Sequence, residues 1–183
     1  HFGIDAREVS FIQAGGAPET LAALVAQRVD AAVLTVPTDA QALKVGYHFV
    51  VYGPDLGIAY AATTVTTRRS IIAKRGPVIG RFMRAMAEAA KIMHTDKEYM
   101  YKVMAKYLRV DDRKLLEASY NVESKALEPR LALKLAGIQS TLDEIAPIEP
   151  RAKNVKPQEM IDTRYLDEME KSGFMEQLWG GRK

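Results

Sequence analysis

The sequence predicts an α/β protein, a parallel-sheet βαβαβ lobe followed by a helix-rich segment. Two patterns carry this expectation. Over the first 55 or so residues, short runs with strand character alternate with short helical runs. From Pro77 onward, apolar residues recur at i, i+3, i+4 and i+7 nearly to the end, the spacing of amphipathic helices.

The elements follow in order. Glu8-Val9-Ser10-Phe11-Ile12 alternates polar and apolar, as a half-buried strand does. Gln13 to Thr20 reads as a loop entering a helix. Pro18 suits a first helical turn and Glu19 complements the positive end of the dipole. Leu21, Leu24 and Val25 give that helix an apolar face. Asp30 to Thr35 is a mostly apolar run, as expected of a strand covered on both faces. A helix then runs from Pro37 to about Lys44, Gly46 ends it, and His48 to Tyr52 makes a third strand. Strand, helix, strand, helix, strand implies right-handed crossovers. Three strands make a thin sheet against the usual ~5–6, so completion is expected from a missing segment or from self-association.

Ile58 to Thr67 reads as extended, and Ser70 to Ala73 as its continuation. Ile79, Phe82, Met83, Met86, Ala90 and Met93 then mark a long helix. Asp96 caps the next, a third follows Asp111, and Leu131 to Ile145 marks a fourth, ended by Pro147 to Pro150. A last helix starts at Pro157 and stops at Gly173. The opening Phe2-Gly3-Ile4 reads like the end of a helix, so an earlier part of the protein is expected upstream.

Composition narrows function. The chain has 183 residues, 48% of them hydrophobic and 27% charged, ordinary for a globular protein. No stretch approaches the ~20 apolar residues of a membrane span. With no cysteine, disulfides, thiolate metal sites and a Cys nucleophile are excluded. The net charge of +3 is uneven, because residues 1–60 hold three basic and six acidic side chains. The basic excess lies along the helices with no run longer than two, which argues against a nucleic-acid surface.

No catalytic constellation stands out. His1, His48 and His94 are isolated, with no second ligand at metal spacing, so neither a metal nor a cofactor is expected. No serine lies in a Gly-x-Ser-x-Gly elbow. Gly15-Gly16 matches neither a Walker loop nor a dinucleotide fingerprint. It does place backbone N–H groups at a helix start, where a ligand oxygen can be received, although Glu19 opposes an anion there. The plainer reading is a tight turn. Thr35-Val36-Pro37-Thr38-Asp39 follows the carboxyl end of a predicted parallel strand, the place where open α/β sheets bind ligands. Thr35 and Thr38 offer hydroxyls, Pro37 opens a helix, and Tyr52 and Tyr60 flank the next turn with phenols. A capping loop with packed tyrosines is the alternative.

Ala22 to Ala32, with Gln27-Arg28-Val29-Asp30-Ala31, then Pro37 and Ala40 to Gly46, resembles the nitrate/sulfonate/taurine-type solute-binding proteins of ABC importers, the NMT1/THI5-like family. That family's pattern runs as a small-residue helix, Gly-x-Val-Asp-Ala, a strand, Pro, then a helix ending before Gly. Gln27 stands where the family usually has Gly; a left-handed backbone there costs a non-Gly residue roughly 1–2 kcal/mol.

The resemblance implies a periplasmic-binding-protein-like type II fold. Residues 1–55 would be the second half of lobe II, 56–75 the crossover or hinge strands, and 76–183 a helix-rich return to lobe I with the C-terminal helices. It implies a non-enzymatic protein that captures a small anionic, sulfonate-like or heterocyclic ligand, with ABC permease subunits as partners and a periplasmic or extracytoplasmic location. Gly15, Gly16, Thr35, Pro37, Thr38 and Tyr60 are the expected ligand contacts. The alternatives are the effector-sensing domain of a LysR-type regulator, a thiamine-pyrimidine synthase-like enzyme whose branch depends on a Cys-rich iron motif, and a fragment without activity of its own.

Overall fold

The computed structural model describes residues 5–61 and 64–180. Every regular element among them is helical, which overturns the α/β expectation. No parallel sheet forms from the three runs expected to be strands. Glu8 ends a 3-10 turn (Ala6–Glu8), and Asp30–Thr35 and His48–Tyr52 form no ladder. The reason is physical. A parallel sheet holds only when helices cover both of its faces, and here the runs lie open, with Phe11 85%, Val33 91% and Val50 83% exposed. The helices of the pattern form where expected; the pairing between its strands does not. The helix end expected at Phe2-Gly3-Ile4 lies outside the described residues, as does part of the Ile58–Thr67 segment.

The chain divides into two compact units. The first comprises His1–Val50 and Met104–Val122. Its helices are α1 (Ala17–Val25), α2 (Thr38–Lys44), the end of α4 (Lys97–Leu108) and most of α5 (Arg113–Ala126). Helices α1 and α2 pack on each other and end in the same way. After α1, Gln27 N–H donates to Leu24 O (3.0 Å) and Arg28 N–H to Ala23 O (2.9 Å). After α2, Gly46 N–H donates to Leu43 O (3.2 Å) and Tyr47 N–H to Ala42 O (3.1 Å). Both are Schellman caps, which need a left-handed residue at their turn. Gly46 adopts φ 95° and Gln27 adopts φ 55°, so the departure from glycine noted at Gln27 falls on a strained position. Tyr47 Oη then donates to Leu24 O at 2.9 Å, fastening the two C-terminal ends together. Leu24 and Ala42 are buried.

Helix α5 starts on Asp112, whose Oδ1 accepts from Lys114 N–H at 2.8 Å and Leu115 N–H at 3.3 Å, a side-chain N-cap. Its other oxygen pairs with Lys44, in the last turn of α2. One carboxylate therefore ties two helices. The Lys44 bond first, then the backbone bond from Leu115, holds the Asp112 carboxyl below its ordinary range.

The second unit comprises Val51–Val103 and Glu123–Lys183. Its spine is α3 (Arg69–Thr95), with α6 (Leu135–Ile145), α7 (Pro157–Met160), α8 (Arg164–Lys171) and α9 (Phe174–Trp179). Ser70–Ala73, expected to be extended, is the first turn of α3. Arg75 leaves helical geometry at φ −131° and ψ 26°, a kink caused by Pro77, which has no N–H and clashes with the preceding turn. The expected final helix breaks after Met160 into α7 and α8, and Gly173 (φ 76°) turns the chain into α9.

One stripe of α3 receives α8 and α9. A Cβ on Gly76 would lie 3.4 Å from Tyr165 Oη, and one on Gly80 3.5 Å from Tyr165 Cδ1. Two turns on, Ala87, with Met169 and Met175, forms a core against Met83, Leu166, Phe174 and Leu178. Arg84 pairs with Glu168 at 3.2 Å and lies 5.3 Å from the Phe174 ring centroid. Further along, Lys91 lies 4.9 Å from the Trp179 ring and His94 5.9 Å from it. A smaller core joins Leu142 of α6 and Ala146, which caps it, to Ala152 of a 3-10 turn (Pro150–Asn154), with Ile138 and Val155 beside them.

Three outcomes follow for stability. Gln27→Gly relieves the left-handed strain and is expected to stabilise by about 1 kcal/mol, read as a higher urea midpoint at unchanged slope. Met169→Ala, at 1% exposure, is expected to cost about 2–5 kcal/mol. Because the Asp112 carboxyl is held low when folded, its ion pair stabilises above the ordinary carboxylate pKa of about 3.9 and the contribution is lost as pH falls through the lower folded value. Asp112→Asn keeps a capping oxygen but loses the charge. Its midpoint is expected to fall below that of the parent at pH 6–7 and to converge with it toward pH 2.

Candidate functional site

The expected ligand contacts fall in three places. Gly15 and Gly16 precede α1 and are exposed. Gly15 has φ 114°, a conformation open to glycine, and Gly16 is the N-cap residue with extended backbone. Glu19, three residues on, folds back over both: a Cβ on Gly16 would stand 2.9 Å from its Oε2. The carboxylate occupies the positive end of its own helix, so an anion arriving there meets like charge.

Thr35, Pro37 and Thr38 are brought together at the start of α2. Thr35 O accepts from Thr38 N–H at 2.9 Å, from Asp39 N–H at 3.2 Å and from the Thr38 hydroxyl at 2.6 Å. Thr38 is buried, and its hydroxyl is spent on this bond. Pro37, after a cis Val36–Pro37 peptide, is the N-cap residue. The Thr35 side chain differs from that of Thr38. It is exposed, and its hydroxyl has no partner among the described residues.

Tyr60 belongs to the second unit. Its side chain is 55% exposed and its hydroxyl has no hydrogen bond among the described residues. Its main chain runs close to Gly137 of α6. Of the six residues, Thr35 and Tyr60 thus present free polar groups, Gly15 and Gly16 present backbone, and Pro37 and Thr38 build the turn.

The chemistry these groups offer is hydrogen bonding and stacking. Among the described residues no cluster of three His, Cys, Asp or Glu is placed to hold a metal. Asp5, Glu149 and Glu170 have carboxyls held low by bonds from Arg7, Arg151 and Arg130. All are exposed surface pairs, unlike the perturbed groups in a cleft that acid–base catalysis uses. His94 Nε2 lies 3.0 Å from Leu127 O in the last turn of α3. No described helix is long and apolar enough to cross a membrane.

Sequence reasoning missed two residues that shape these places. Tyr47 joins the ends of α1 and α2 through its phenol, which no local pattern encodes. Gly137 interrupts the helical run Leu135 to Ile145; an isolated glycine inside a helix costs about 1 kcal/mol against Ala, which was the available signal of a close approach.

A family model described as NMT1/THI5 like matches residues 1–99, more than half of the 183-residue chain. No curated protein and no solved structure matches. The matched span contains α1, α2 and α3, with the Gly15–Gly16 loop, the Thr35–Thr38 turn and Tyr60. The chain belongs to the NMT1/THI5-like family, and with it to proteins of solute-binding or related function.

Proposed function

We propose that this protein captures a small molecule without transforming it, as the ligand-gripping part of a solute-binding protein that serves an ABC importer outside the cytoplasm. The family match over residues 1–99 carries the reading. Two local features support it. The helices of the family pattern end side by side through the Tyr47–Leu24 bond, and each is entered by a loop that offers unspent polar groups. The lack of cysteine argues against the iron-dependent synthase branch.

The ligand is a small sulfonate, inorganic anion or heterocycle. In the first unit its contacts are the Thr35 hydroxyl and main-chain groups of Gly15–Gly16, with Pro37 and Thr38 shaping the turn that presents Thr35; in the second unit the Tyr60 phenol is a contact considered by itself. With Glu19 over Gly15–Gly16, that loop suits a neutral or donor group of the ligand better than its negative charge.

The test is a thermal-shift screen with taurine, nitrate, pyrimidines and aromatic acids. A ligand at 100 times its Kd is expected to add about 2.7 kcal/mol, a rise of several degrees. Thr35→Ala is the clean variant, because the carbonyl and not the side chain caps α2. With Tyr60→Phe, it is expected to weaken binding at least tenfold at unchanged stability. A ligand bound equally well by both variants would overturn the site, and turnover of a bound pyrimidine would overturn the non-enzymatic reading.

A further inference from the structure

Residues Gly57 to Ala61 have no regular secondary structure, and residues 57–60 are exposed. The course of this stretch has to be set by something outside it. A close main-chain approach does so at its end. A Cβ built on Gly137 would stand 3.0 Å from Ala61 N, 3.0 Å from the Tyr60 carbonyl carbon and 3.4 Å from Tyr60 O. These are backbone atoms, which cannot swing aside as a side chain does.

Helix α6 cannot easily retreat either. Leu142 and Ala146 hold it in its own core with Ile138, Ala152 and Val155. Helix α7 and the 3-10 turn Pro150–Asn154 also pack against it. A packed helix therefore meets a segment without regular secondary structure at one residue without a side chain. Immediately beside that contact stands the Tyr60 phenol, exposed and without a partner among the described residues.

We propose that Gly137 is a positioning residue for Tyr60: by admitting the Tyr60–Ala61 main chain against α6, it sets where the phenol is presented. The inference rests on the reading of Tyr60 as a ligand contact for its importance, but its test does not. A Cβ at 137 would make the Tyr60–Ala61 main chain give by a few tenths of an ångström, and Tyr60 would move with it.

The experiment is 19F NMR of the full chain with 3-fluorotyrosine at its eight tyrosines, recorded without ligand. The Tyr60 resonance is assigned by its loss in Tyr60→Phe. Gly137→Ala is expected to shift or split that resonance. Gly80→Ala, whose new Cβ would face the Tyr165 side chain at 3.5 Å, is expected to leave it in place. A folded Gly137→Ala protein with an unmoved Tyr60 resonance overturns the proposal. Should that variant not fold, the unsubstituted protein decides: a nuclear Overhauser contact between Gly137 Hα and the Ala61 amide proton supports the proposal, and its absence overturns it. Failure of Thr35→Ala and Tyr60→Phe to weaken binding would instead remove the ligand site and leave this result standing.

Discussion

The packing of Met169 and Met175 onto Ala87 is the contact on which the second unit depends. Two flexible thioether side chains are driven to 1% and 0% exposure by a residue that contributes only a methyl. Small side chains along α3 make this possible. Gly76 and Gly80 admit Tyr165, Ala87 admits the two methionines, and only then do long side chains, Arg84 and Lys91, reach around to the Phe174 and Trp179 rings. Methionine suits such a seam because three rotatable bonds let it fill irregular gaps. The ion pair at Arg84 is exposed on both sides and adds little beside that burial.

Much of the helical half was legible because it is written locally. The spacing of Phe82, Met83, Met86 and Ala90 marks α3, Asp96 caps α4 with a side-chain oxygen, and Gly46 ends α2; a helix was expected after Asp111, and it is Asp112 that caps α5. The sheet was misread because a strand is a bargain between segments. Val9 to Ile12, Ala31 to Val36 and Phe49 to Val51 carry β-forming residues, yet their N–H and C=O groups find no ladder among the described residues. Ser70 to Ala73 was misread for the opposite reason. Ile71 and Ile72 suggest an extended chain, and the helical turn they enter is ended only by the kink before Pro77.

At the candidate site the sequence identified the residue types but could not divide the labour among them. Thr35 and Thr38 look equivalent on paper. In the fold, one hydroxyl closes the turn and the other stays free, a difference set by which of the two carbonyls starts a helix. Gln27 shows the reverse case: the family pattern named the position, and the cap geometry explains why glycine is usual there.

The lone tryptophan has a practical consequence. Trp179 closes α9, between the Lys91 ammonium and the His94 ring, with its indole N–H buried and unbonded among the described residues. Tryptophan emission from this protein is therefore a gauge of one seam, the clasp of α9 on α3. A denaturation curve followed by tryptophan emission records when the clasp opens and does not report on α1 and α2 directly, so the loops around Thr35 have to be followed with another probe.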